Sequence, residues 1–299
     1  MSKVKSFATI DGDMFYINHN SDNFTIIDCC IEEEKKEEVL KELKEEKGNK
    51  GIIRFISTHP DDDHIRGLKY LMDNQEIPNF YCVKNSATKT NPSEDFKKYC
   101  SLRDDEKNAF YLEKGRKRRW MNVSNNERDD SDINIKWPDT NNKYFKEALQ
   151  IAKEKEEPNN ICPIITYSID ENVKIYWFGD LEDDYMENIK EEVEWEKGDI
   201  VFAPHHGRDS GKLPQDVLEK IEPKVIIIGN AESESLNYYQ GYETITQNTA
   251  GDIIIMFEDN NSNFYVSNEN YDKKLKTLKT INVNKIDGYK YIGSLTNDK

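Results

Sequence analysis

Residues 57–67 read STHPDDDHIRG and put two histidines and three aspartates within six positions, directly after the apolar run GIIRFIS at 51–57. An apolar run of that length reads as a buried strand. Its far end delivers a dense set of nitrogen and oxygen donors into a loop, where α/β proteins present their functional groups. The segment after it, IRGLKYLMDN at 65–74, reads as a helix.

Outward from this nest the same rhythm continues. NFTIID (23–28) reads as a strand, and EEEKKEEVLKELKEEK (32–47) as a helix with Val39, Leu40 and Leu43 on one face. FYCV (80–83) reads as a further short strand. Residues 84–158 are polar and rich in Lys, Asn and Asp, with helices expected near 93–107 and 143–156. Strands are expected again at 161–169, 173–179, 199–204, 224–230, 252–257 and 263–267, with helices at 182–195 and 214–221. Strands with intervening helices make a mixed α/β body whose sheets are covered by helices. The expected division is a main domain over 1–270, with a polar insertion at 84–158, and a C-terminal extension over 271–299.

Composition bounds the partners. The 299 residues are 36% hydrophobic and 33% charged, enough for a buried core under a heavily charged surface. A formal net charge of −16 repels nucleic acid and anionic membranes, so a polyanion must meet a local basic patch or a metal. KGRKRRW (114–120) is the one strongly basic run, offering Arg116, Arg118 and Arg119 to phosphates and Trp120 for base stacking. No apolar segment has the length of a signal peptide or membrane span, so no membrane partner is expected. The five cysteines (Cys29, Cys30, Cys82, Cys100, Cys162) follow no zinc-finger or disulfide spacing, and the reducing cytoplasm is the expected compartment.

Five histidines occur: His59 and His64 in the nest, His205 and His206 in APHHGRDSG, and His19 in NHNSDN, where a surface loop without a role is expected. Both clusters follow expected strands, as do Asp180 in YWFGD and Asp28 in NFTIID. His59, Asp61, Asp63 and His64 offer more donors than one tetrahedral ion with an open position needs. Adding Asp180, His205 and His206 gives a set large enough for two ions, the arrangement that clamps in-line displacement at phosphorus.

HPDDDH followed by IRGL resembles the HxHxDH signature of the metallo-β-lactamase superfamily, with Asp61 where the second histidine usually stands. Together with EPNNICPIITYSI, YWFGD and VFAPHHG, this HxDxDH variant is similar to the metallo-β-lactamase-like domain of the ComEC competence proteins. The resemblance runs from about Asp28 to Val266 and implies an αββα sandwich of two mixed sheets flanked by helices. It implies metal ligands at His59, Asp61, Asp63, His64, Asp180, His205 and His206, with Asp28 and Asn160 in support. Three positions depart from the pattern: Cys162 and Arg208 replace serines, and Asn160 lies near the place of an absent histidine. Cys162 is expected to be a small buried residue. Fewer nitrogen donors favour harder ions, so manganese or magnesium competes with zinc for the two divalent positions.

The reading that follows is a metal-dependent phosphoester hydrolase, a phosphodiesterase or nuclease acting on nucleic acid or a small phosphoester. Two cations would lower the pKa of a shared water, Asp63 would help hold them, and His205 or His206 would protonate the leaving oxygen. Arg208 would bind phosphate oxygens bidentately. The alternatives are hydrolysis of a small metabolite (a cyclic nucleotide, phosphocholine-type ester, thioester or lactone) and a binding module without turnover.

Overall fold

The computed structural model describes residues 1–169, 172–232 and 235–296. Its nine-stranded sheet contains β1 (Ser2–Ser6), β2 (Phe15–Asn18), β3 (Asn23–Ile27), β4 (Ile52–Ile56), β5 (Asn79–Cys82), β6 (Ala109–Tyr111), β13 (Ile253–Glu258), β14 (Asn261–Val266) and β15 (Lys290–Thr296). The spatial order is β15-β14-β13-β1-β2-β3-β4-β5-β6. The six-stranded sheet contains β7 (Ile133–Trp137), β8 (Ile164–Ile169), β9 (Val173–Trp177), β10 (Ile200–Phe202), β11 (Val225–Ile228) and β12 (Thr244–Thr246), in the order β12-β11-β10-β9-β8-β7. Both sheets are mixed: β3 through β6 and β9 through β12 run parallel to their neighbours, and the remaining pairs are antiparallel.

Strand alternation builds the layers. Phe15 and Ile17 of β2 face the second sheet, while Tyr16 between them faces the opposite way. Between the sheets, Phe15 packs edge-on against Phe202 at 4.8 Å and Trp177 stacks on Phe202 at 5.0 Å. The outer face of the nine-stranded sheet is covered by α1 (Lys36–Lys47), α3 (Leu68–Asn74) and α4 (Glu94–Arg103), which contribute Leu43, Leu71 and Tyr99 to one buried cluster. The second sheet is covered by α5 (Lys143–Glu154), α6 (Asp183–Ile189) and α7 (Gln215–Ile221). The result is the expected αββα sandwich of two mixed sheets.

Several expected elements are trimmed or split. The helix expected over 65–74 breaks at Gly67 (φ +90), leaving α2 (Asp62–Ile65) ahead of α3. The helix expected over 182–195 ends at Ile189, and that over 93–107 at Arg103. Residues 84–158 supply β6 and β7, the edge strands of the two sheets, and residues 290–296 supply β15. His19 does not lie on the surface as expected. It is buried at the end of β2, its Nε2 2.9 Å from Thr25 Oγ1, because the hairpin back to β3 folds the ring inward. Among the described residues, no helix is long and apolar enough to cross a membrane. All five cysteines are free.

Candidate metal centre

The parallel strands β3, β4, β9 and β10 all deliver polar residues at their C-terminal ends. Asp28, one residue past β3, takes φ 56 and donates its amide to Ile56 O. Its carboxylate thereby turns across the next loop, accepting from Thr58 N at 2.7 Å and Thr58 Oγ1 at 2.6 Å and lying 2.9 Å from His64 Nδ1. After β4 the chain runs through His59 and Asp61 into α2, which carries Asp63 and His64. Past β9, Gly179 (φ +55) allows the turn that places Asp180; a Cβ there would lie 2.7 Å from Cys162 Sγ and 2.9 Å from Thr58 Cβ. Cys162 is buried, as expected, and its thiol accepts from Asp180 N at 3.2 Å.

Past β10, His205 and His206 both sit in the left-handed region, at φ 48 and φ 57. Such conformations cost non-glycine residues of order 1–3 kcal/mol each and concentrate at functional sites. Here they aim both rings at Asp180: His205 Nε2 lies 3.6 Å and His206 Nε2 3.4 Å from Asp180 Oδ2. His64 Nε2 lies 3.0 Å from Asp180 Oδ1, and His59 Nε2 3.9 Å from Asp180 Oδ2. Asp63 Oδ2 is 3.5 Å from His206 Nε2, and Asp61 Oδ2 is 3.7 Å from His59 Nε2. All seven residues expected as ligands therefore converge, with Asp180 at the centre.

One residue was not foreseen. Asp13 Oδ1 lies 3.1 Å from His206 Nδ1, on the side of the ring away from Asp180. Its loop is tightly held. Asp11 receives both terminal nitrogens of Arg66 at 2.7 Å, and Asn230 donates to Ile10 O at 2.7 Å. A Cβ on Gly12 would lie 1.8 Å from Asp63 O, so only glycine lets the loop pass. The available signal was the doublet DGD at 11–13, between two strands that the apolar pattern does not reveal.

The electrostatics call for cations. Within 4.0 Å, and among the described residues, Asp13, Asp28, Asp63 and Asp180 form ion pairs only with histidines. Burial lowers the affinity of His64 for a proton, but Asp180 and Asp28 overcome it and raise its pKa well above the ordinary 6.5. His206 behaves likewise, burial being overcome by Asp180 and Asp13. His59 is pushed down to about 3, by burial and then by His64. Burial also acts against the Asp180 carboxylate, yet His206 and His64 hold it well below its usual range.

The donor set fits a divalent cation. His59 Nε2, His64 Nε2, Asp180 Oδ1 and both ring nitrogens of His206 are buried without a hydrogen-bond partner, although carboxylates stand close by. Unsatisfied buried polar atoms cost about 1–3 kcal/mol each, so the four that converge around Asp180, with His206 Nδ1 turned away to Asp13, imply a ligand that satisfies them together. One donor atom each from Asp13, His64, Asp180 and His206 lie within 4.8 Å of one another. Since His206 directs Nε2 towards Asp63 and Asp180, its Nδ1 is left for Asp13. The same relation joins His64 to Asp28, and carboxylates behind imidazoles fix tautomer and ring orientation at metal sites.

The remaining expected residues separate. Asn160 donates to Glu182 Oε2 at 2.7 Å and accepts from Glu182 N at 3.1 Å, fixing the segment after Asp180. Arg208 donates to Asp11 O at 3.3 Å. His205 Nδ1 lies 2.8 Å from Ser210 Oγ, and its ring is more exposed than that of His206. Residues 115–119 of the basic run are exposed. The guanidinium groups of Arg119 and Arg128 lie 5.7 and 5.2 Å from the Trp120 ring.

Residues 10–132 match the family model described as the metallo-beta-lactamase superfamily, a span that includes Asp13, Asp28 and the nest. The match covers the N-terminal part of the chain and is to a metallo-beta-lactamase superfamily domain. Among solved structures it is similar to Igni18, described as a novel metallo hydrolase from the hyperthermophilic archaeon Ignicoccus hospitalis KIN4/I. The two share 14% identity at a TM-score of 0.51, over 86% of this chain and 100% of that chain, which shows a common fold. Comparison with curated proteins gives no match.

Proposed function

We propose that the chain is a metal-dependent hydrolase of phosphoesters, a phosphodiesterase or nuclease of the kind that the ComEC-like motifs suggest. The observation that carries this is the convergence of four partnerless donor atoms, His59 Nε2, His64 Nε2, Asp180 Oδ1 and His206 Nε2, at one edge of the sandwich. The superfamily match and the fold shared with a metallo hydrolase support the hydrolytic part. Arg66, Lys89 and Arg208, each paired with a group at the rim of the centre, support an anionic substrate in a chain of net charge −16.

Divalent ions, manganese or zinc, supply Lewis acidity and an acidified water at such a centre. His59, Asp61, Asp63, His64, Asp180 and His206 would hold two of them. Asp28 and Asp13 keep His64 and His206 pointing inward through their Nδ1 atoms. The more exposed His205, held by Ser210, would hand a proton to the leaving oxygen. Arg208 would engage a non-bridging phosphoryl oxygen.

The test is a substrate panel with the purified chain and added Mn²⁺ or Zn²⁺: bis-p-nitrophenyl phosphate, linear DNA, a cyclic nucleotide, a thioester and a lactone. Turnover of the diester or DNA, lost in Asp180→Ala, supports the reading. Turnover of the thioester or lactone alone transfers the site to small-metabolite hydrolysis, and no turnover with metal bound makes it a binding module.

A further inference from the structure

Lys89, between β5 and α4, reaches back over the nest. Its Nζ lies 3.0 Å from Asp61 Oδ1 and 3.4 Å from Asp62 Oδ2, and the side chain is only 17% exposed. The other oxygen of Asp61 faces His59 Nε2 at 3.7 Å, a buried nitrogen without a hydrogen-bond partner. Asp61 is therefore shared between a fixed ammonium and the centre. The opposite corner has no such competitor: Asp13, Asp63 and Asp180 meet only histidines within 4.0 Å, among the described residues.

We propose that Lys89 is a positioning residue that makes the His59–Asp61 corner the weaker of two cation positions, by engaging Asp61 ahead of any metal. The inference rests on the metal-centre reading above. Two cations on one carboxylate repel each other, and the coupling is reciprocal: whatever a metal on Asp61 costs Lys89, Lys89 costs that metal. Partial burial keeps the effect from being screened by salt. An aspartate carrying an ammonium also presents nearly no net charge, which is what the histidine usual at position 61 would present. The corner fills last on loading and empties first on chelation.

The test titrates the chelator-treated full-length chain with Mn²⁺, following the free ion by electron paramagnetic resonance. Wild type is expected to show a tight and a weak class of binding. Lys89→Met should tighten the weak class by at least about threefold, the direction set by removing a repelling charge. Lys89→Arg should keep the wild-type value, and Lys89→Met should change nothing when Asp61 is already Asn. Thermal unfolding of the metal-free variants verifies that each is folded. A weak class unchanged or weakened in Lys89→Met, or a shift equally large in the Asp61→Asn background, overturns the proposal. A single class in wild type also overturns it while leaving the metal-centre reading standing, and failure of wild type to bind Mn²⁺ removes both.

Discussion

Asp13 Oδ1 stands 3.1 Å from His206 Nδ1, as Asp28 Oδ2 stands 2.9 Å from His64 Nδ1. Two histidines that follow strands of different sheets are each held between a carboxylate behind and Asp180 in front. The carboxylate behind fixes which nitrogen faces the centre, and its removal at metal sites costs about 10–100-fold in affinity or activity. Asp13→Ala is therefore expected to lower metal affinity and diester turnover together within that range. Asp13→Asn, which keeps an acceptor for the Nδ1 proton, should retain most of both. Isothermal titration with Mn²⁺ and steady-state kinetics decide; equal effects of Ala and Asn would mean that the charge of Asp13, not its acceptor, is what matters.

Gly12→Ala tests the loop that carries Asp13. The added carbon would lie 1.8 Å from Asp63 O, so the loop or α2 must move. Turnover should fall at least about tenfold while stability falls by about 1–3 kcal/mol, the range of steric changes at buried positions. Kinetics and thermal unfolding measure the two effects. Wild-type activity in Gly12→Ala would show that the centre does not depend on this loop.

Asp13 is the site residue that the sequence pattern does not reveal. Asp63, His64, Asp180 and the histidine pair each follow an apolar strand, so their placement is legible as a pattern. β1 reads SKVKS and shows no apolar run, yet it is central in its sheet. Lys5 is buried there because Glu42 and Asp252 neutralise it at 2.7 and 2.9 Å. Those partners lie 37 and 247 residues along the chain, and no local signal announces them. β7, β12 and β15 are edge strands stabilised by one neighbour each, and β15 reaches its partner β14 only after 23 intervening residues. Which histidine of the pair is held by carboxylates was likewise not legible, because it depends on two consecutive left-handed residues.

Metal loading should release protons. His64 and His206 are held well above their ordinary 6.5, so both are protonated in the metal-free chain near neutral pH. A raised folded-state pKa contributes stability that is complete below 6.5 and is lost as pH rises through the folded value. The metal-free chain should therefore lose stability on the alkaline side, and bound metal should remove that loss. At neutral pH, binding should expel about two protons, since metal takes the neutral ring. Titration calorimetry in buffers of different ionisation enthalpy counts them; no release would mean that the rings are neutral before metal arrives.

The basic run separates substrate classes. Residues 115–119 are exposed and outside the metal centre, so changing Arg116, Arg118 and Arg119 together to Gln should leave turnover of a small diester unchanged. If the substrate is nucleic acid, DNA cleavage should weaken and its salt dependence flatten by up to about three phosphate contacts. An unchanged salt slope would make the run a solvated loop and favour a small substrate.

In the proposed function, His64, Asp180 and His206 bind a divalent cation required for hydrolysis. The most direct measurement determines, for chelator-treated wild type and Asp180→Asn, Mn²⁺ content by mass spectrometry alongside turnover of bis-p-nitrophenyl phosphate. Turnover in wild type should vanish with the metal and return in proportion to bound Mn²⁺, and Asp180→Asn should recover neither. Undiminished turnover in the metal-free protein, or an Asp180→Asn variant with wild-type metal content and turnover, would contradict it.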